Sequence, residues 1–387
     1  MDRSKRWLIL VVLYTAMLIF ALSYQSIPPV LGVIMSDLHL SHGQAGSLMS
    51  MYALPGIIIS IPAGMLADIY GYRRVGLISM ALAILGSLLV ALSSDFLFLA
   101  GARIVTGVGG MAIAVIIPPA LSKWFQTGEL GIAMGILNTA MPLGTTLAFN
   151  MFGWIGYGWG WQIPILLTAA AGAVSVTAFY ITYPRDKREP GGTTGEKLSI
   201  RKAVSQVGSP VWLAAGVWAA YNASVLSYLT FAPDYYGSLG LSPGYASFLA
   251  SLFMIGSLAA PAVGYLIGKV NSPELLMAGG NIVVAVLLLI IFYALSGSST
   301  LGLALGIAGS LVPAPVFALV PQLVVPERRG LAFGIVSSCM NIGAAIGPFF
   351  VGRCYDLTAS YSCSFLIMVI FALTGAVLAL RLKAARR

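Results

Sequence analysis

Apolar residues along this chain come in runs of about 20 or more, separated by short clusters of charge. A helix rising 1.5 Å per residue needs about 20 residues to cross a hydrocarbon core about 30 Å thick. The runs therefore predict an all-α membrane protein with twelve spanning helices, over residues 7–33, 44–67, 75–94, 97–122, 130–156, 161–183, 209–234, 243–270, 273–296, 300–324, 329–352 and 360–381. The first run follows Asp2-Arg3-Ser4-Lys5-Arg6 as the core of a secretory leader would. It outruns such a core, and no small-residue cleavage site closes it, so it is expected to stay as the first span.

Composition agrees with this reading. Of the 387 residues 59% are hydrophobic and 9% charged, far from the roughly 25% charged of a soluble domain. That excludes a soluble enzyme, and the abundance of Gly, Tyr and Phe excludes a disordered or disulfide-stapled chain. Charge placement then orients the spans. All but two of the 21 basic residues, Arg103 and Arg353, fall in alternate loops or at the termini, while the intervening loops carry Asp37, Asp95, Asp234 and Asp356. Because Lys and Arg are retained in short cytoplasmic loops, both termini are expected in the cytoplasm. Topology accounts for the net charge of +9, so no nucleic-acid partner is required.

The longest polar stretch, Pro184 to Gln206, is rich in Gly and Pro and reads as a linker. It divides an N-terminal bundle, 1–183, from a C-terminal bundle, 207–387, with 184–206 as the cytoplasmic linker. An internal repeat supports the division. Leu22-Ser23-Tyr24 with Pro29 recurs about 200 residues later as Leu226-Ser227-Tyr228 with Pro233; Ser41, Gly43, Ala45, Leu48 and Ser50 recur as Ser242, Gly244, Ala246, Leu249 and Ser251; Gly131, Ala133, Gly135, Ile136, Met141 and Gly144 recur as Gly330, Ala332, Gly334, Ile335, Met340 and Gly343. Six spans return the chain to its starting side, so the halves are parallel repeats about an axis along the membrane normal. A solute pathway along that axis is the geometric consequence.

The segment Gly64-Met65-Leu66-Ala67-Asp68-Ile69-Tyr70-Gly71-Tyr72-Arg73-Arg74, between spans two and three, resembles the signature loop of the major facilitator superfamily. Leu99 to Gly110, with Arg103, Gly107 and Gly109, is similar to that superfamily's second motif. The second-half copy of the signature is reduced to Gly264, Leu266, Gly268 and Lys269, and the antiporter motif of span five is only approximated by Met141-Pro142-Leu143-Gly144. The resemblance implies the major facilitator fold and transport by alternating access between two rocking halves, with the signature loop as a cytoplasmic gate. Gly64 and Gly71 would allow close helix approach and a tight turn. Asp68 would face the N-terminal end of a helix beginning near Arg329, and Arg73 and Arg74 would hold anionic headgroups.

Arg103 stands about seven residues, roughly 10 Å, inside span four. A buried guanidinium needs partners and marks a functional site, with a scaffold role as the other reading. All twelve acidic residues lie in loops or at span ends, and His39 and His42 lie in the first outer loop. No group is expected at mid-membrane to carry a proton. Arg353 is expected to pair with Asp356 one turn away. Tyr24 and Tyr228 are repeat-equivalent, and with Arg103, Gln25, Asn138, Tyr221, Asn222 and Asn341 they are the candidate substrate-binding set. Pro142, Pro313, Pro315 and Pro348 mark spans able to bend. Cys354 and Cys363 are expected as free thiols. No metal-ligand spacing, catalytic motif or cofactor site is found.

These features predict a monomeric plasma-membrane transporter, with no enzymatic activity, of a small organic or inorganic anion, as the resemblance to carboxylate, cyanate and nitrate carriers also implies. The alternative is an exporter of hydrophobic drugs or other amphiphiles, suggested by 15 Met and many aromatic residues.

Overall fold

The computed structural model describes residues 3–125, 127–184, 207–260, 262–263, 272–293, 298–325 and 329–386. Within them the chain is helical, with no strand. Its helices are α1 (Arg3–Tyr24), α2 (Leu31–Asp37), α3 (His42–Tyr70), α4 (Tyr72–Ala91), α5 (Phe96–Ser122), α6 (Thr127–Asn138), α7 (Ala140–Trp159), α8 (Gln162–Thr182), α9 (Ser209–Ser238), α10 (Pro243–Ser257), α11 (Pro273–Tyr293), α12 (Ser299–Ser310), α13 (Pro313–Leu319), α14 (Arg329–Thr358) and α15 (Tyr361–Ala385). Ten stretches among the described residues are long and apolar enough to cross a membrane. Helix α9 is 30 residues long and carries a polar series, Tyr221, Asn222, Ser224, Ser227, Tyr228 and Thr230, which makes it less apolar than those ten.

Two compact units are present. The first comprises Met1–His39 with Met51–Thr193, and the second Leu40–Ser50 with Thr194–Arg387. The start of α3 thus belongs to the second unit. Of the linker reading, residues 185–206 lie outside the described residues, as does Lys269.

Among the described residues, spans one, five and ten are interrupted where proline removes a helical donor. Span one stops at Tyr24, ahead of Pro28 and Pro29, and resumes through a 3-10 turn into α2. Span five breaks between Asn138 and Ala140, because Pro142 has no N–H for the Asn138 carbonyl. Span ten breaks after Ser310: Pro313 cannot donate to Gly309, whose carbonyl instead accepts from Val312 N at 3.2 Å. Pro348 lies inside an unbroken α14.

Small residues set the packing within each unit, as expected where lipid supplies no hydrophobic drive between helices. In the first unit, a Cβ at Gly107 would come within 2.2 Å of the Tyr52 carbonyl, and one at Gly109 within 2.4 Å of Ser79 O and Ala83 N. In the second, a Cβ at Gly343 would lie 2.0 Å from Ala219 O and one at Gly347 2.2 Å from Ala223 O, so α9 and α14 touch backbone to backbone. The repeat-equivalent Gly144 packs in the same way against Leu18 and Ala21 of α1.

Two expectations are corrected here. Cys354 and Cys363 form a disulfide with Cα atoms 5.9 Å apart, because the turn at Ala359-Ser360 folds α15 back along α14. Asp356 does not pair with Arg353. Its two carboxylate oxygens instead accept from the backbone N–H groups of His42 and Gly43, each at 2.8 Å.

Candidate functional site

The break in span one creates the chemistry of the first unit. A helical Tyr24 carbonyl would accept from residue 28, which is a proline and has no N–H. Arg103 on α5 fills that vacancy. Its Nη2 donates to Tyr24 O at 3.2 Å, and its Nη1 donates to Ser23 O at 3.1 Å and reaches Ser26 Oγ at 3.4 Å. The guanidinium also lies 4.5 Å from the centre of the Tyr52 ring, a cation–π contact. Arg103 is 1% exposed. These partners satisfy donors that burial would otherwise leave unpaired.

Tyr24 and Gln25 complete this cluster. Tyr24 stacks on Phe20 and meets the Tyr52 ring edge-on, with centroids 5.0 Å apart. Gln25, the first residue beyond α1, is fully buried, and neither its amide oxygen nor its amide nitrogen has a hydrogen-bond partner among the described residues. Tyr52 was not among the sequence candidates. Nothing in its own neighbourhood on the chain marks it; the only hint is the close approach that Gly107 permits.

The candidates of the second unit stand on α9 and α14. Tyr221 stacks on Trp218, with centroids 5.3 Å apart and planes 11° apart. Asn222 donates to Trp218 O at 2.8 Å, and Asn341 donates to Ser337 O at 3.1 Å while its own Oδ1 stays unpaired among the described residues. Tyr228 shares a 3.2 Å hydrogen bond with the Tyr236 hydroxyl. Its repeat mate Tyr24 instead sits at a helix end beside an arginine, because only the first unit has the break. Asn138 is exposed at the end of α6 and is not part of the Arg103 cluster.

At the signature turn, Gly71 joins α3 to α4 with φ +90°, a conformation that glycine alone adopts without strain. A Cβ at Gly64 would meet only Val115, at 3.8 Å, so no close approach depends on that glycine. Arg73 donates to the Tyr180 carbonyl at 2.6 Å and lies 4.7 Å from that ring's centre, which ties α4 to α8. Arg74 is exposed. The side chain of Asp68 lies outside the described residues; α14 does begin at Arg329.

The model of the Major Facilitator Superfamily matches residues 13–305 and 213–387. The chain belongs to this superfamily. It is a multi-pass membrane transporter of small solutes, as the relatives it resembles are. A hexuronate transporter of Bacillus subtilis (strain 168) is 26% identical over 357 residues, covering 86% of this chain and 84% of that one. A lysosomal dipeptide transporter of Danio rerio is 22% identical over 347 residues, covering 84% and 75%. Among solved structures, a bacterial homologue of the human lysosomal transporter Spinster, inward-facing and occupied, superposes with a TM-score of 0.79 at 17% identity, over 99% of this chain and 98% of that one. Superfamily membership fits the repeat, the proline-broken spans and the glycine turn at residue 71.

Proposed function

We propose that this major facilitator protein carries a small organic or inorganic anion across the plasma membrane by alternating access, with both termini cytoplasmic and the monomer as the working unit. The observation that carries the anion reading is Arg103. It is a guanidinium, 1% exposed, set at the break in span one with Ser23 O, Tyr24 O and Ser26 Oγ among its partners, and a buried base in a membrane span marks a functional site. Gln25 beside it offers an unspent donor and acceptor. In this reading Arg103 positions the break, and Gln25 and Tyr24 offer hydrogen bonds to a solute in the first unit; in the second unit Tyr221, Asn222, Tyr228 and Asn341 are the candidate polar contacts. Gly64, Asp68, Gly71, Arg73 and Arg74 form the gating turn. The hexuronate relative, whose solute is a carboxylate, supports the same choice.

A melting-temperature screen of the purified protein tests the reading. Glucuronate, nitrite, a neutral dipeptide and tetraphenylphosphonium are each added in large excess. A ligand present at 100 times its dissociation constant stabilises the folded state by about 2.7 kcal/mol, enough to raise Tm visibly. The expected result is a rise with at least one anion and none with the lipophilic cation. A rise with tetraphenylphosphonium alone would favour the amphiphile exporter instead.

A further inference from the structure

We propose that His42, held between Asp234 and Asp356, is a proton-binding site that controls the docking of the start of α3 in the second unit. The inference is independent of which solute is carried. Both ring nitrogens of His42 face carboxylates: Nε2 is 3.0 Å from Asp234 Oδ2, and Nδ1 is 3.9 Å from Asp356 Oδ1. The ring lies against Tyr355, with centroids 3.8 Å apart, and the side chain keeps 17% exposure. Four helix ends therefore meet at one imidazole: the start of α3, the end of α9, the end of α14 and the start of α15.

The partners of those carboxylates link the proton to the fold. Asp356 caps α3 from another helix, accepting from His42 N and Gly43 N. Asp234 accepts from the Tyr361 hydroxyl of α15. Among the described residues, Tyr355 on α14 and Tyr361 on α15 also pack on the ring, Arg353 of α14 lies against Gly43, and Tyr235 of α9 packs on Tyr361. A neutral imidazole donates from one nitrogen only. With Nε2–H directed at Asp234, the Nδ1 lone pair faces the negative Asp356. A proton taken from water adds to Nδ1, breaks no bond, and leaves His, Asp234 and Asp356 with one net negative charge in place of two. Imidazole is the side chain that makes this change in the physiological range. Proton binding thus tightens the docking of residues 40–50, and proton loss loosens it. Helix α3 passes from the second unit into the first after Ser50.

Hydrogen–deuterium exchange of the full-length protein in lipid nanodiscs tests the proposal, read on peptides spanning residues 41–50 and corrected for the intrinsic pH dependence of exchange. In the wild type, protection of these amides should be severalfold higher at about pH 6 than at about pH 8. His42→Gln should abolish that step. Gly43→Ala, whose Cβ would sit 2.7 Å from Asp356 Oδ2, should lower protection at both pH values with every titratable group intact. His39→Gln should keep the wild-type step. Should any of these variants fail to fold, the wild-type profile and Asp234→Asn, expected to shrink the step, still decide. Protection independent of pH in the wild type, a step that survives His42→Gln, or one that vanishes with His39→Gln would overturn the assignment.

Discussion

An Arg103→Gln protein is expected to lose nearly all solute uptake and to melt at a markedly lower temperature than the wild type. Glutamine reaches at most one of the two carbonyls that the guanidinium now serves, so the Tyr24 carbonyl is left buried with no donor. Hydrogen bonds to charged groups contribute about 1.5–3 kcal/mol, and an unsatisfied buried acceptor costs about 1–3 kcal/mol. Arg103→Lys separates position from charge. Lysine keeps the cation but cannot fork onto Ser23 O and Tyr24 O together, so it should recover part of the anion affinity and little of the stability. Uptake and Tm measured side by side on both variants check this. Equal solute affinity in folded Arg103→Gln and wild type would remove Arg103 from the substrate side of the account and leave it as a clamp on span one.

The second large effect lies at the seam between α9 and α14. Gly343→Ala would place a methyl 2.0 Å from the Ala219 carbonyl, a backbone atom that cannot swing aside, so the helices must separate. Overpacking of this kind costs about 1–3 kcal/mol, and Tm should fall accordingly. Gly279→Ala is the control: its Cβ meets nothing within 4 Å, and alanine in a helix interior is better than glycine by about 0.5–1 kcal/mol. Opposite signs for the two substitutions in one thermal-melt series would establish that the seam, and not glycine as such, is what matters. Gly144→Ala should behave like Gly343→Ala, since its Cβ would lie 2.6 Å from that of Ala21.

The spans could be read from hydropathy because each is a physical length of apolar chain, and most of the helices among the described residues lie on those runs; the end of span eight, 264–270, falls outside them. The repeat was equally legible, since Gly144 and Gly343 sit against equivalent helices for the same steric reason. Pro142 and Pro313 were legible as bends, whereas Pro348 lies inside an unbroken helix, and neither the break ahead of Pro28 nor its consequence at Tyr24 was legible. That an arginine 79 positions away would replace the donor missing at Pro28 depends on how α5 crosses α1, which no local pattern encodes. Tyr52 was missed for the same reason. The disulfide and the two backbone bonds to Asp356 depend on a turn and a helix crossing, whereas reading along the chain offered Arg353 as the nearest opposite charge. Along the chain Asp234 stands at a span end beside Tyr235 and Tyr236, and Asp356 one turn from Arg353. They meet at His42 because three helix ends of the second unit and the start of α3 converge there.

The central claim is that the positive charge at the break in span one selects an anion. Uptake of radiolabelled glucuronate into proteoliposomes, competed with unlabelled nitrite, acetate, uncharged glucose and tetraphenylphosphonium, tests it most directly. The account predicts saturable uptake that anions inhibit, that glucose and the cation leave untouched, and that Arg103→Gln abolishes. Glucuronate uptake no faster than in empty liposomes, together with saturable uptake of labelled tetraphenylphosphonium, would contradict it.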